Sequence, residues 1–161
     1  WACPAHYYTN FTYWTQHCWG VTCVNDMEAM LSYQPITIGD KEQALADLVR
    51  CYEKMMMRSH TNGGYVNLLD ECWKMCEKFH TNIVIMYDHV SCKNVGGLHG
   101  LFEDQARERG IHLIWIPHDV MDPRTVSRRE MREAFSQYMV TVLNEKPLDP
   151  TLLDYEDTLS W

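Results

Sequence analysis

The chain has 161 residues, 46% of them hydrophobic, which suits one globular domain with a core of its own. A formal charge of −8 excludes a broad phosphate-binding surface of the kind that tracks nucleic acid, and leaves room only for local basic pockets. No apolar run approaches the roughly 18 to 20 residues that span a bilayer, and the first residues lack the order of a signal peptide, so the chain reads as soluble with no membrane partner.

Seven cysteines, Cys3, Cys18, Cys23, Cys51, Cys72, Cys76 and Cys92, form no regular framework. An odd count beside ten methionines suits a reducing, cytoplasmic setting. The opening Trp1-Ala2-Cys3-Pro4 reads as the end of a strand whose body lies upstream, so the expectation is a fragment of a longer polypeptide.

In chain order, residues 6 to 18 are expected to form an aromatic-rich helix and Gly20 to Val24 a strand. Asp40 and Gln43 make a capping box ahead of Leu45, Leu48, Val49, Tyr52 and Met56 at helical spacing, which predicts a helix over 40–57 with that stripe inward. After a break at 59–64, Leu69, Cys72, Cys76 and Phe79 mark a helix over 63–79. The run Asn82 to Tyr87 reads as a strand buried on both faces.

Beyond the loop that holds Cys92, Leu98, Leu101, Phe102 and Ala106 give another amphipathic helix, with Gly110 where a left-handed C-cap belongs. His112 to Ile116 is the next strand. Ser127 with Glu130 is a second capping box, opening a helix from 127 to about 143. Strands alternating with helices predict an α/β fold: a doubly wound, flavodoxin- or Rossmann-like, mostly parallel sheet flanked by helices, over residues 1–146. Residues 147–161 form an acidic tail that packs across the domain or onto a neighbour.

Ligands of such sheets sit outside the carboxyl ends of the strands, so four loops are expected to converge there: Ala2 to Tyr8, Asn25 to Gly39, Asp88 to Gly97 and Pro117 to Val126. No dinucleotide or phosphate-binding glycine motif is present, nor a G-x-S-x-G elbow, which removes the usual signatures of nucleotide binding and acyl-transfer hydrolysis. Cys72, Cys76 and His80 are spaced four apart like a metal-binding row, but the two cysteines also fall on the core stripe, and the core reading is preferred. His17, Cys18 and Cys23 lack C-x-x-C spacing and read as structural.

That leaves Cys92. Lys93 and the following helix start both favour its thiolate, which serves equally as nucleophile or soft-metal ligand, while a lone loop cysteine also reads as an ordinary loop residue. His89 reads as a loop residue, and Asp119, Asp122 and Arg124 as an internal pair shaping the turn before Ser127.

Ser91-Cys92-Lys93, followed by Gly110-Ile111, a strand, Asp119-Val-Met-Asp122-Pro-Arg124 and a Ser-x-x-Glu helix start, resembles the subunits of (R)-2-hydroxyacyl-CoA dehydratases and class I benzoyl-CoA reductases. Cys3-Pro4 resembles the turn that opens that family's C-terminal domain. The likeness covers most of residues 1 to 143 and is strongest from 81 to 139.

It implies a [4Fe-4S] cluster held by three cysteines per subunit, of which Cys92 matches the last, with Ser91 and Lys93 beside the cluster. The other two ligands belong to a preceding domain, so this chain carries an incomplete ligand set and is expected to be inactive alone. The implied partners are a sister subunit, an ATP-dependent activator that donates one electron, and an acyl-CoA whose ketyl radical eliminates the 2-hydroxyl group. A benzoyl-CoA reductase subunit, a non-catalytic α/β binding or assembly module, and a cysteine-based thiol enzyme remain the alternatives.

Overall fold

The structure, a computed structural model, describes residues 10–27, 35–53, 58, 63–122 and 124–154. The chain forms two compact units, one of residues 1–24 and 82–161 and the other of residues 25–81. Among the described residues no helix is long and apolar enough to cross a membrane.

The first unit is built on two parallel strands, β1 (Ile83–His89) and β2 (His112–His118), paired from Ile83 with His112 to His89 with His118. Parallel neighbours need a crossover, and a single helical turn, α4 (Lys93–Gly96), with α5 (His99–Arg109), supplies it. Gly110 ends α5 at φ 65°, and Ile111 N–H returns to the Ala106 carbonyl at 3.0 Å, so the chain reverses into β2 within two residues.

One face of this sheet carries Ile85, Tyr87, Ile114 and Ile116. They pack with Phe11, Trp14, Cys18 and Trp19 of α1 (Phe11–Trp19), and with Met131, Phe135 and Met139 of α6 (Arg128–Thr141). Phe135 sits edge-on to Phe11 at 5.9 Å, Trp14 at 5.7 Å and Trp19 at 6.4 Å between ring centroids. These are the favoured offset geometries of aromatic pairs. The opposite face carries Val84, Met86 and Trp115, with Phe102 of α5 edge-on to Trp115 at 6.2 Å.

The capping box of α6 forms as expected: the Ser127 hydroxyl accepts Glu130 N–H at 3.2 Å, and the Glu130 carboxylate accepts Ser127 N–H at 2.7 Å. After α6 the chain returns to α1. The Cys18 carbonyl accepts Leu148 N–H at 2.7 Å, and a 3₁₀ turn over Pro150–Leu152 follows. Leu148 packs so closely on Gly20 that a Cβ there would lie 2.9 Å from its Cδ1, and Gly20 itself sits at φ 73°.

The second unit holds α2 (Lys41–Glu53) and α3 (Tyr65–Phe79). On α3 the buried residues are Leu68, Leu69, Cys72, Trp73 and Cys76, which bears out the core reading of the two cysteines. His80 ends α3 at φ 52°, exposed, and does not extend a cysteine row.

Two expectations are corrected. Residues 21–26 form no strand, and Thr22, Cys23 and Val24 are exposed. The mixed helix and strand expectation holds: the described sheet is a parallel pair flanked by helices.

The helix over 40–57 is present for 41–53 but presents the opposite side: Leu45, Leu48, Val49 and Tyr52 are exposed and Asp47 is buried. Asp47 collects the Thr37 amide at 2.9 Å, the Thr37 hydroxyl at 2.8 Å, Gln43 Nε2 at 2.8 Å and Arg50 at 2.6 Å. Four donors make burying this carboxylate tolerable. They also divert the Gln43 side chain, so at Asp40 only the forward half of the capping box forms. Met56, residues 6–9 and the Ala2 to Tyr8 loop lie outside the described residues.

Candidate functional site

The carboxyl ends of β1 and β2 meet at their last rung, His89 opposite His118. The even register places both rings on one side of the sheet, at 5.7 Å and near-perpendicular. His118 is fully buried, with the Tyr87 ring 5.2 Å away, and His89 is almost so.

The chain then turns sharply out of β1. Cys92 N–H donates to the His89 carbonyl at 2.9 Å, and Ser91 N–H approaches His89 Nδ1 at 3.4 Å. Val90 N–H donates to the His118 carbonyl at 3.1 Å, extending the ladder one step into both loops. Cys92 is the N-cap of α4, with Gly96 N–H donating to its carbonyl at 3.0 Å. Its side chain caps no amide, and the free thiol is half-exposed between exposed Ser91 and Lys93.

The facing loop is held by carboxylates. Asp119, buried, accepts Met121 N–H at 2.9 Å and Asp122 N–H at 3.2 Å. The Met121 amide above all, then the Asp122 amide, the Thr125 hydroxyl and nearby His89, hold the Asp119 carboxyl below its ordinary range. Asp122 meets Arg124 bidentately, Nε to Oδ1 at 2.8 Å and a terminal guanidinium nitrogen to Oδ2 at 2.7 Å. That pair depresses the Asp122 carboxyl and raises Arg124. The turn-shaping reading of Asp119, Asp122 and Arg124 thus describes their geometry.

Of the four loops expected to converge, Asp88 to Gly97 and Pro117 to Val126 meet, while Asn25 to Gly39 belongs to the other unit. Sequence reasoning missed His118 and His99. His118 enters because parallel register aligns the Asp88-His89 and Pro117-His118 pairs, the one signal that could have found it. His99, at the start of α5, stacks on Trp115 with centroids 3.6 Å apart and planes at 17°, and its Nε2 lies 3.2 Å from Asp88 Oδ1.

A four-iron cluster takes thiolate ligands, typically four. Cys92 offers one accessible sulfur at a fixed backbone position, which fits a single ligand position. Among the described residues no group of three His, Cys, Asp or Glu side chains is placed to hold a metal ion, so they do not fit a complete cluster.

The family model of the D-component of 2-hydroxyglutaryl-CoA dehydratase matches residues 2–139. The chain belongs to that family. The matched segment of this D-component family chain contains both strands, the Cys92 loop, the Asp119 to Arg124 turn and all but the last two residues of α6. Comparison with curated proteins and with solved structures gave no match.

Proposed function

We propose that this D-component family chain is part of a 2-hydroxyacyl-CoA dehydratase subunit, in which it presents Cys92 as one thiolate ligand of a [4Fe-4S] cluster. The observation that supports this reading is the placement of Cys92: a half-exposed thiol on the loop leaving a parallel strand at its carboxyl end, inside the residues matched by the family. The βαβ unit of β1, α5 and β2 is then the nucleus of a larger doubly wound sheet.

Bound, such a cluster supplies one-electron transfer at a potential set by nearby charge, hydrogen bonds to sulfur and solvent exclusion. The chain's own residues hold the thiol in place. His89 anchors the Cys92 amide, and the first turn of α4 anchors its carbonyl. Lys93 places a positive charge next to a sulfur that must stay deprotonated, and the exposed Ser91 hydroxyl is available to donate to it. The remaining ligands come from outside the described residues.

The substrate is a 2-hydroxyacyl-CoA thioester, the partners are a sister subunit and an ATP-dependent electron donor, and the setting is cytoplasmic. Dehydration removes a hydroxyl from C2 and a proton from C3, with no net change of oxidation state, so the injected electron is recovered at the end of each turnover.

Anaerobic reconstitution of the full-length subunit with iron and sulfide, with and without Cys92→Ala, tests the assignment. Loss of the cluster's charge-transfer absorbance in the variant is expected. Unchanged absorbance would remove Cys92 from the ligand set.

A further inference from the structure

The segment from His89 to Leu98 leaves β1, displays Cys92 and re-enters the fold at α5. Its first end is fixed by backbone bonds to the strands, since Val90 N–H donates to His118 and Cys92 N–H to His89. The backbone bonds of its interior are its own: Gly96 N–H donates to Cys92, Gly97 N–H to Lys93 at 3.0 Å and Leu98 N–H to Val95 at 2.9 Å, while the Val95 and Leu98 side chains are buried. An isolated helical turn of four residues has little stability of its own. Beyond the buried Val95 and Leu98, a side chain also fastens the far end.

The side chain that does so is His99, the first residue of α5. Its ring lies almost parallel to the Trp115 indole of β2, with centroids 3.6 Å apart. Its Nε2, which makes no hydrogen bond, lies 3.2 Å from the Asp88 carboxylate of β1. Asp88 immediately precedes the segment and His99 immediately follows it, so the pair closes the loop on itself. The Trp115 stack binds that closure to the second strand.

Trp115 Nε1 is buried with no hydrogen-bond partner, so the indole is placed by its ring contacts with His99 and Phe102. A lone contact between side chains this exposed, 35% and 41% accessible, would hold little. Here it acts together with a close aromatic stack on the same ring.

We propose that His99 is the positioning residue of the Cys92 loop, clamped between Trp115 and Asp88 so that the thiol is displayed in one place relative to both strand ends. The proposal rests on the reading of Cys92 as the functional thiol, but the clamp itself needs no bound cluster.

Hydrogen exchange of the metal-free chain, read at the Gly96, Gly97 and Leu98 amides against those of Ile85 and Ile114, tests it. His99→Ala and Asp88→Asn should each speed exchange of the three loop amides by about fivefold while the strand amides hold. Alkylation of Cys92 relative to exposed Cys23 should rise in the same variants. His99→Arg supplies a planar group that can stack on the indole and meet the carboxylate, and Asp88→Glu retains a carboxylate; both should restore protection.

Loop exchange within about twofold of wild type in His99→Ala or in Asp88→Asn would overturn the proposal. So would equal acceleration of loop and strand amides in Asp88→Asn, or failure of both conservative variants to restore protection. If the clamp passes and Cys92→Ala still retains the cluster on reconstitution, only the ligand assignment falls. If the cluster is lost in Cys92→Ala and loop exchange is indifferent to His99, only the clamp falls.

Discussion

Trp14 Nε1 donates a 2.9 Å hydrogen bond to the carbonyl of Leu152, 138 residues further along the chain. Together with the bonds of Leu148 and Asp149 to the Cys18 carbonyl, it fastens the segment after α6 along α1. The indole is buried, and its N–H has this carbonyl as partner. Trp14→Phe keeps an aromatic ring in the core and deletes the donor, which should lower unfolding free energy by about 1 kcal/mol. Truncation after Lys146 also removes Leu148 from Gly20 and should cost more. Urea midpoints of the two variants are the check, and a larger loss from the point substitution would contradict the arrangement.

Cys18 lies in the same seam and is fully buried. Burial above all, reinforced by the negative charge of Asp149 and opposed by Arg132, pushes its thiol from 9.0 up to about 11. The folded chain therefore holds this proton more tightly than the unfolded chain. The associated stability is intact below pH 9 and is lost as pH rises through about 11. The difference in stability between wild type and Cys18→Ala should narrow over that interval, measured by denaturant unfolding at fixed pH steps. At pH 8 the Cys18 thiol should resist iodoacetamide while exposed Cys23 reacts.

The parts of the fold legible in the sequence are those whose local signals agree with their tertiary setting. β1 is a continuous apolar run because both its faces are covered, and Ser127 with Glu130 announced a cap that forms in full. Residues 21–24 include the β-forming Val21, Thr22 and Val24, but strand pairing is not a local property. In α2 the period was readable and the side was not: hydropathy takes the apolar stripe as the inner one, whereas Asp47 turns inward because Thr37, Gln43 and Arg50 satisfy it.

The loop that holds Cys92 was legible because a polar stretch follows an apolar strand. His118 and His99 were not, since one reaches the site through parallel register and the other through a stack across two strands.

Asp119 makes the turn beside the site sensitive to acid. Its carboxyl sits below the ordinary value because it accepts the Met121 and Asp122 amides and faces His89. A depressed folded value means that the unfolded chain binds this proton first as pH falls. The stability contributed by the turn is therefore present above the usual carboxylate range, about pH 4, and is lost as pH falls through the lower folded value. Asp119→Asn keeps an acceptor oxygen but not the charge. It should be less stable than wild type at pH 7, with the gap closing as the solution is taken below about pH 4. A gap that widens in acid would reverse the sign of the argument.

Phe135 and Tyr13 separate the aromatics that hold the fold from those that decorate it. Phe135 is fully buried and touches the rings of Phe11, Trp14 and Trp19 at once, so truncation removes its own transfer energy and leaves three rings facing a void. Large-to-small changes of this kind cost about 3 to 5 kcal/mol for phenylalanine, and mutually packed rings leave the hole little room to collapse. Tyr13, on the same α1 that Phe135 packs against, is 60% exposed and stacks on His17 at 3.9 Å. Tyr13→Ala should fall within about 0.5 to 1 kcal/mol of wild type, since an exposed stack excludes little water. Phe135→Leu, which refills most of the volume, should recover more than half of the loss in Phe135→Ala. Thermal and urea unfolding of the three variants measure this. Equal penalties at positions 13 and 135 would mean that α1 is not seated on α6 as described.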